Sequence, residues 1–140
     1  MNAPLYTTEI LRLAASLSEP AQLEREDCRA ELRSPTCGST IATTVMVDPD
    51  GNIAALSQRV HACAFGQASA ALAERSATGR DQASVAAALA ALTDWLDGRA
   101  ESPGIWPGLD ALAPARSRKG RHGAILLPFR ALLAALESAA

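Results

Sequence analysis

The residues of this 140-residue chain best suited to metal or sulfur chemistry are its three cysteines and two histidines. Cys37 stands in Thr36-Cys37-Gly38-Ser39 and Cys63 in His61-Ala62-Cys63-Ala64. A cysteine just ahead of a helix meets unpaired N–H groups and the positive end of the helix dipole. Both favour the thiolate, the form that binds metal or attacks sulfur. The glycine after Cys37 lets the backbone approach a bound group closely. His61 precedes Cys63 by two residues and shares its face if the segment is extended. His122 lies between Arg121 and Gly123, and either histidine could ligate a transition metal. Spacing alone favours plainer roles: lone cysteines are commonly small buried hydrophobes, unlike paired CxxC knuckles. Cys28 reads as an inward strand residue with a packing role. The chain has no phosphate-binding Walker loop, no GxSxG elbow and no paired acidic pattern.

The elements that must position these residues can be read from hydrophobic period. Leu5, Ile10, Leu13 and Leu17 recur at near-helical spacing, with Thr7 or Thr8 as cap and Glu19-Pro20 as stop. Cys28, Ala30 and Leu32 alternate with Arg29, Glu31 and Arg33, the period of a half-buried strand. Ser34-Pro35-Thr36 breaks it. Ser39 to Val47 predicts a second strand with Ile41, Thr43, Val45 and Val47 on one face. Asp48-Pro49-Asp50-Gly51-Asn52 is a strong turn signal, and Ile53 to Val60 predicts a third strand. Three strands joined by short turns make an antiparallel meander.

From Ala64 the pattern becomes helical to Arg75, with Gly79 as stop. Asp81 caps a helix to Leu96 that aligns Val85, Leu89, Leu92 and Leu96. Residues 99–108 read as a loop carrying Trp106, followed by a helical turn at Leu109–Leu112. Ala115 to Arg121 holds Arg116, Arg118, Lys119 and Arg121, a basic stretch that could dock an acidic partner segment. A last helix runs from about Ile125 to Ser138, with Pro128 in its first turn, where a missing N–H is harmless. The reading is an α+β fold: a small three-stranded antiparallel sheet with helices packed on one face, in one domain spanning residues 1–140.

Composition narrows the function classes. Hydrophobic residues make up 49% and aromatics 4%, which points to a core of small residues and helices. A net charge of −2 argues against nucleic-acid binding. No apolar run reaches the length that crosses a bilayer, the first residues lack a signal-peptide pattern, and an odd cysteine count does not suit a disulfide framework. The expectation is a reduced, cytoplasmic, soluble protein.

In motif order the chain resembles the NifU/IscU-type iron–sulfur cluster assembly scaffolds, and within them the SufU-like branch. The motifs are Pro35-Thr36-Cys37-Gly38-Ser39, then Ala62-Cys63-Ala64-Phe65-Gly66-Gln67-Ala68-Ser69-Ala70, then Arg121-His122-Gly123-Ala124 leading into Ile125-Leu126-Leu127-Pro128-Phe129-Arg130-Ala131-Leu132. The Asp48–Gly51 hairpin falls where the family has one, and residues 99–113 resemble the SufU-type insertion. The resemblance implies a metal site of three cysteines and an aspartate. Cys37 and Cys63 match two of those positions; Ser39 stands at the aspartate and Ala124 at the third cysteine. Alanine cannot ligate, and serine is a poor substitute for a carboxylate. His122, or His61, is the candidate replacement ligand, since histidine replaces cysteine on some cluster irons.

The implied function is a scaffold, not an enzyme. It would bind and deliver a transient iron–sulfur cluster, or hold zinc, through Cys37, Cys63, His122 and Ser39. A cysteine desulfurase and cluster-accepting proteins are the implied partners, with no nucleic acid and no membrane, and the chain itself a monomer or weak dimer. The alternative is a degenerate relative without a cluster that serves as an accessory binding protein. A thiol enzyme using Cys63 ranks last, because the sulfur-accepting position of SufU-like relatives is Ala124 here.

Overall fold

The computed structural model describes residues 6–35 and 38–139. Its elements in chain order are α1 (Thr8–Ala15), β1 (Cys28–Arg33), β2 (Thr40–Val47), β3 (Ile53–His61), α2 (Ala64–Ala77), α3 (Gln82–Leu96), a 3₁₀ helix (Leu109–Ala115) and α4 (Lys119–Ser138). The expected helix–meander–helix layout is the observed one. The strands lie in the order β1-β2-β3, antiparallel throughout. β1 pairs from Cys28↔Val45 to Arg33↔Thr40, and β2 pairs with β3 from Thr40↔His61 to Val47↔Ile53.

Local chemistry sets the boundaries. Thr7 Oγ1 accepts from the Ile10 N–H at 3.1 Å and caps α1; Leu5 lies outside the described residues. At the β2–β3 turn, Asp48 Oδ1 accepts from the N–H groups of Asp50 and Asn52, both at 2.9 Å. Gly51 has φ +85°, a conformation that side chains disfavour. Asp81 Oδ1 accepts from the Ser84 N–H at 2.8 Å and caps α3.

The helices cover one face of the sheet, as expected, and the core is made largely of small and aliphatic residues. Ile10, Val45, Ile53, Phe65, Leu92, Leu109, Ile125 and Leu132 are buried in it. Ile41, Leu127 and Ala131 pack together where α4 passes beneath β2. Trp106 is buried: its Nε1–H donates to the Leu72 carbonyl at 2.9 Å, and its ring meets Phe129 edge-on.

The last helix departs from the sequence expectation. α4 begins at Lys119, six residues before Ile125, so Pro128 lies inside the helix rather than in its first turn. Two glycines make the segment 119–123 a poor helix former. Tertiary contacts override that weakness: His122 Nε2 donates to the Ala115 and Arg116 carbonyls at 2.9 and 3.1 Å. Pro128 has no N–H to return to Ala124. At the same turn, Ser69 Oγ of α2 donates to the Ile125 carbonyl at 2.6 Å. No helix among the described residues is long and apolar enough to cross a membrane.

Candidate metal centre

Of the motif residues, Ser39, Ala62 and Cys63 stand at one end of the sheet. The β1–β2 connection is closed by the Ser34 N–H donating to the Ser39 carbonyl at 2.8 Å and the Gly38 N–H to the Ser34 carbonyl at 3.2 Å. Gly38 has φ +72° and is exposed, and a Cβ there would meet nothing within 4 Å. Thr36 and Cys37 lie outside the described residues. Ser39 is buried. Thr40 pairs with His61, so Ser39 and Ala62 stand just beyond that pair at the same sheet end.

Cys63 is the residue that joins β3 to α2. It is the N-cap of α2, with extended backbone at φ −66°, ψ 174°, and its side chain makes no capping bond. It is half-buried and free of disulfide. Its own carbonyl accepts from the Gln67 N–H at 3.0 Å, while Gln67 Nε2 donates to the Ala62 carbonyl at 3.0 Å. The first turn of α2 is thus fixed by Gln67, through its backbone N–H and its side-chain amide, and the thiol is not spent on it.

Gly66, one turn further on, brings α4 to this point. A Cβ on Gly66 would lie 2.6 Å from the Ala62 Cβ and 3.3 Å from both the Cβ and the carbonyl oxygen of Ala124. Only glycine permits this approach. Positions 62 and 124 therefore meet across Gly66, next to Cys63. Ala124 itself is only 1% exposed. The sequence marked residues 65–70 as a small-residue helix start, but the specific contact of Gly66 with Ala124 needed the tertiary structure.

The histidines are placed differently from an extended reading. His122 is in the first turn of α4, where two residues turn a side chain by about 200°, so it and Ala124 leave opposite sides of the helix. With Nε2 on the backbone carbonyls of the 3₁₀ helix, Nδ1 is the nitrogen left for a metal. His61 ends β3 and is exposed.

Cys28 has the expected packing role. It is buried, with Sγ 3.9 Å from the Val45 carbonyl. Burial pushes its thiol pKa up, and the Asp27 charge adds to this. Of the basic stretch, Arg116 is consumed by structure. Its Nε donates to the Trp95 carbonyl at 2.9 Å and its NH2 to that of Ala100 at 3.1 Å, with the guanidinium over the Trp95 ring. Among the described residues, no group of three or more His, Cys, Asp or Glu side chains comes together.

Solved structures share this architecture. The chain is similar to the N-terminal part of a nitrogen-fixing NifU-like protein from Brucella abortus, at 29% identity over 96% of this chain and 94% of that one, with TM-score 0.88. It is also similar to a candidate iron–sulfur cluster assembly scaffold protein for the SUF system from Fervidobacterium islandicum AW-1. That match has 17% identity, covers 94% and 96% of the two chains, and has TM-score 0.84; at that identity it bears on the fold alone. No protein-family model and no curated protein matches the chain. The fold is thus similar to that of a NifU-like protein. The likeness extends over nearly the whole length of both chains.

Proposed function

We propose that the chain, as one domain, is an iron–sulfur cluster assembly scaffold in which Cys37 and Cys63 anchor a transient cluster as cargo. The observation that carries this is Cys63, a half-buried thiol at the α2 N-cap, unused by capping, at the same sheet end as Ser39. The likeness to the NifU-like protein supports it. Thiolates are the ordinary ligands of such clusters, and two of them suit zinc equally. Ser39 and His122, through Nδ1, are the remaining candidate donors on this chain; position 124 supplies none. Sulfur would come from a cysteine desulfurase, and the cluster would pass to an acceptor protein.

The test is anaerobic reconstitution with ferrous iron and sulfide, followed by visible absorbance and labile-sulfide assay. The wild-type chain is expected to take up a cluster, and Cys37→Ser and Cys63→Ser each to lose it with unchanged thermal unfolding. Uptake unchanged in either variant would overturn the proposal. A second reading has one observation in its favour: Ala124 is buried and offers no donor. On that reading the chain is an accessory protein without a cluster, and neither iron nor zinc is retained under any condition.

A further inference from the structure

The sheet face turned away from the helices is built differently in its two halves. The register sets Arg33, Thr40 and His61 in one row across the three strands; Glu31, Ala42 and Arg59 form the next, and Arg29, Thr44 and Ser57 the third. The middle strand offers short side chains between longer ones, which leaves a trough along β2. The half away from the cysteines is bordered by the linker between α1 and β1. There the Ala21 N–H donates to Ser57 Oγ at 2.9 Å, and Glu26 faces the same hollow as Arg29 and Arg59. One carboxylate of that linker, Glu26, thus already lies beside cations of this sheet face.

The half beside the cysteine motifs is open, a hollow of about 380 Å³ whose lining includes Arg33, Thr40, Ala42, Arg59 and His61. Arg33, Arg59 and His61 are exposed. Among the described residues, neither arginine forms an ion pair, and the carboxylate in the hollow, Glu31, is taken by Arg29 at 2.8 Å. The cationic excess is local, in a chain whose net charge is −2. It suits a few carboxylates presented in an extended chain. Two arginines would neutralise too few phosphates to hold nucleic acid at physiological salt.

We propose that this open half is a docking trough for an acidic, extended segment of a partner protein, laid along β2 in continuation of the path the linker takes. Arg33 leads into the connection that carries Cys37, and His61 stands two residues before Cys63, so the docked segment would bring its protein to the thiols. The proposal stands on the sheet face and does not depend on cluster ligation.

The probe is a fluorescein-labelled octapeptide of alternating glutamate and serine, followed by anisotropy at low ionic strength. Saturable binding is expected, weakened by about tenfold or more in the Arg33→Glu/Arg59→Glu double variant and by raising salt well past about 0.1 M. Arg118→Glu/Lys119→Glu, which alters exposed cations at the start of α4, is expected to bind as wild type, as is Cys37→Ser/Cys63→Ser. All variants keep the wild-type far-ultraviolet dichroism. Equal binding by Arg33→Glu/Arg59→Glu overturns the proposal, and so does tighter binding of a short DNA duplex than of the peptide.

Discussion

The two ends of the meander spend their polar groups in opposite ways. At the turn end, Asp48 accepts from two backbone N–H groups, and its own N–H donates to the Asn52 carbonyl at 2.8 Å. Ile53 exchanges bonds with the connection between α2 and α3: its N–H donates to the Arg80 carbonyl, and its carbonyl accepts from the Gly79 N–H, both at 2.8 Å. Arg25 and Asp27 clamp Val47 from the other side. At the cysteine end, Cys63 caps α2 without its side chain, Gly38 stands in open space, and Arg33, Arg59 and His61 project from the sheet. The backbone is closed there just as firmly, by Ser34 with Ser39 and by Gln67 with Ala62. The lesson is that order and chemical availability are separable. The turn end spends its charged side chains on the backbone, and the cysteine end, held by backbone bonds and the Gln67 amide, leaves Cys63, Arg33 and Arg59 for a ligand.

This contrast is broken most severely at Gly66, where the cysteine end depends on a close approach of α2 and α4. Gly66→Leu would drive a side chain between α2 and α4 at Ala62 and Ala124, neither of which has a flexible tip that can move aside. A loss of about 3 kcal/mol is expected from overpacking, read by urea denaturation. Cluster uptake should fall in the same variant, because α2 carries Cys63. Stability within about 0.5 kcal/mol of wild type would mean the helices are not in contact there.

Asp48→Ala probes the turn end. Two backbone donors lose their acceptor, for an expected loss of about 1–2 kcal/mol. Peptide binding and cluster uptake should be unchanged, since both belong to the opposite end. A loss of either function at full stability would contradict the division between the ends.

What could be read from the sequence was what depends on neighbours along the chain. The alternation of Cys28–Arg33, the Asp48–Asn52 turn signal and the Asp81 cap each fix an element through local groups, and these elements are in place. Cys63 at a strand-to-helix junction was legible for the same reason. The start of α4 was not, because residues 119–123 are poor helix formers held by His122 on carbonyls of a different element. His122 and position 124 consequently lie on opposite sides of the helix, since a helix does not alternate by two. The basic stretch 116–121 looked like a docking surface, yet Arg116 is a strut on Trp95 and Ala100. The cationic trough stayed hidden because Arg33, Arg59 and His61 become neighbours only through the strand register. The metal positions came from motif resemblance, and Cys37, lying outside the described residues, stays a matter for the reconstitution experiment.

The smallest expected effect refines how the turn end is held. Asp27 Oδ1 accepts from Arg25 Nε at 2.7 Å and Oδ2 from the Val47 N–H at 2.8 Å, while Arg25 NH2 donates to the Val47 carbonyl at 2.8 Å. The bond from Arg25, then that from Val47, holds the Asp27 carboxyl below its ordinary pKa of 3.8; Arg25 is raised by the same pairing. A carboxyl depressed in the folded state favours folding wherever it is ionised in both states, and that contribution is lost as pH falls through the folded value. Asp27→Asn keeps an acceptor for Val47 and removes the charge. The stability difference between wild type and Asp27→Asn should therefore be constant above about pH 5 and shrink below about pH 4. It should also narrow with added salt at neutral pH, because the pair is exposed and screened. A difference that persists unchanged into strong acid would show that Asp27 acts through hydrogen-bond geometry alone. The turn end would then be held by neutral bonds throughout, and the contrast with the cationic end would be sharper still.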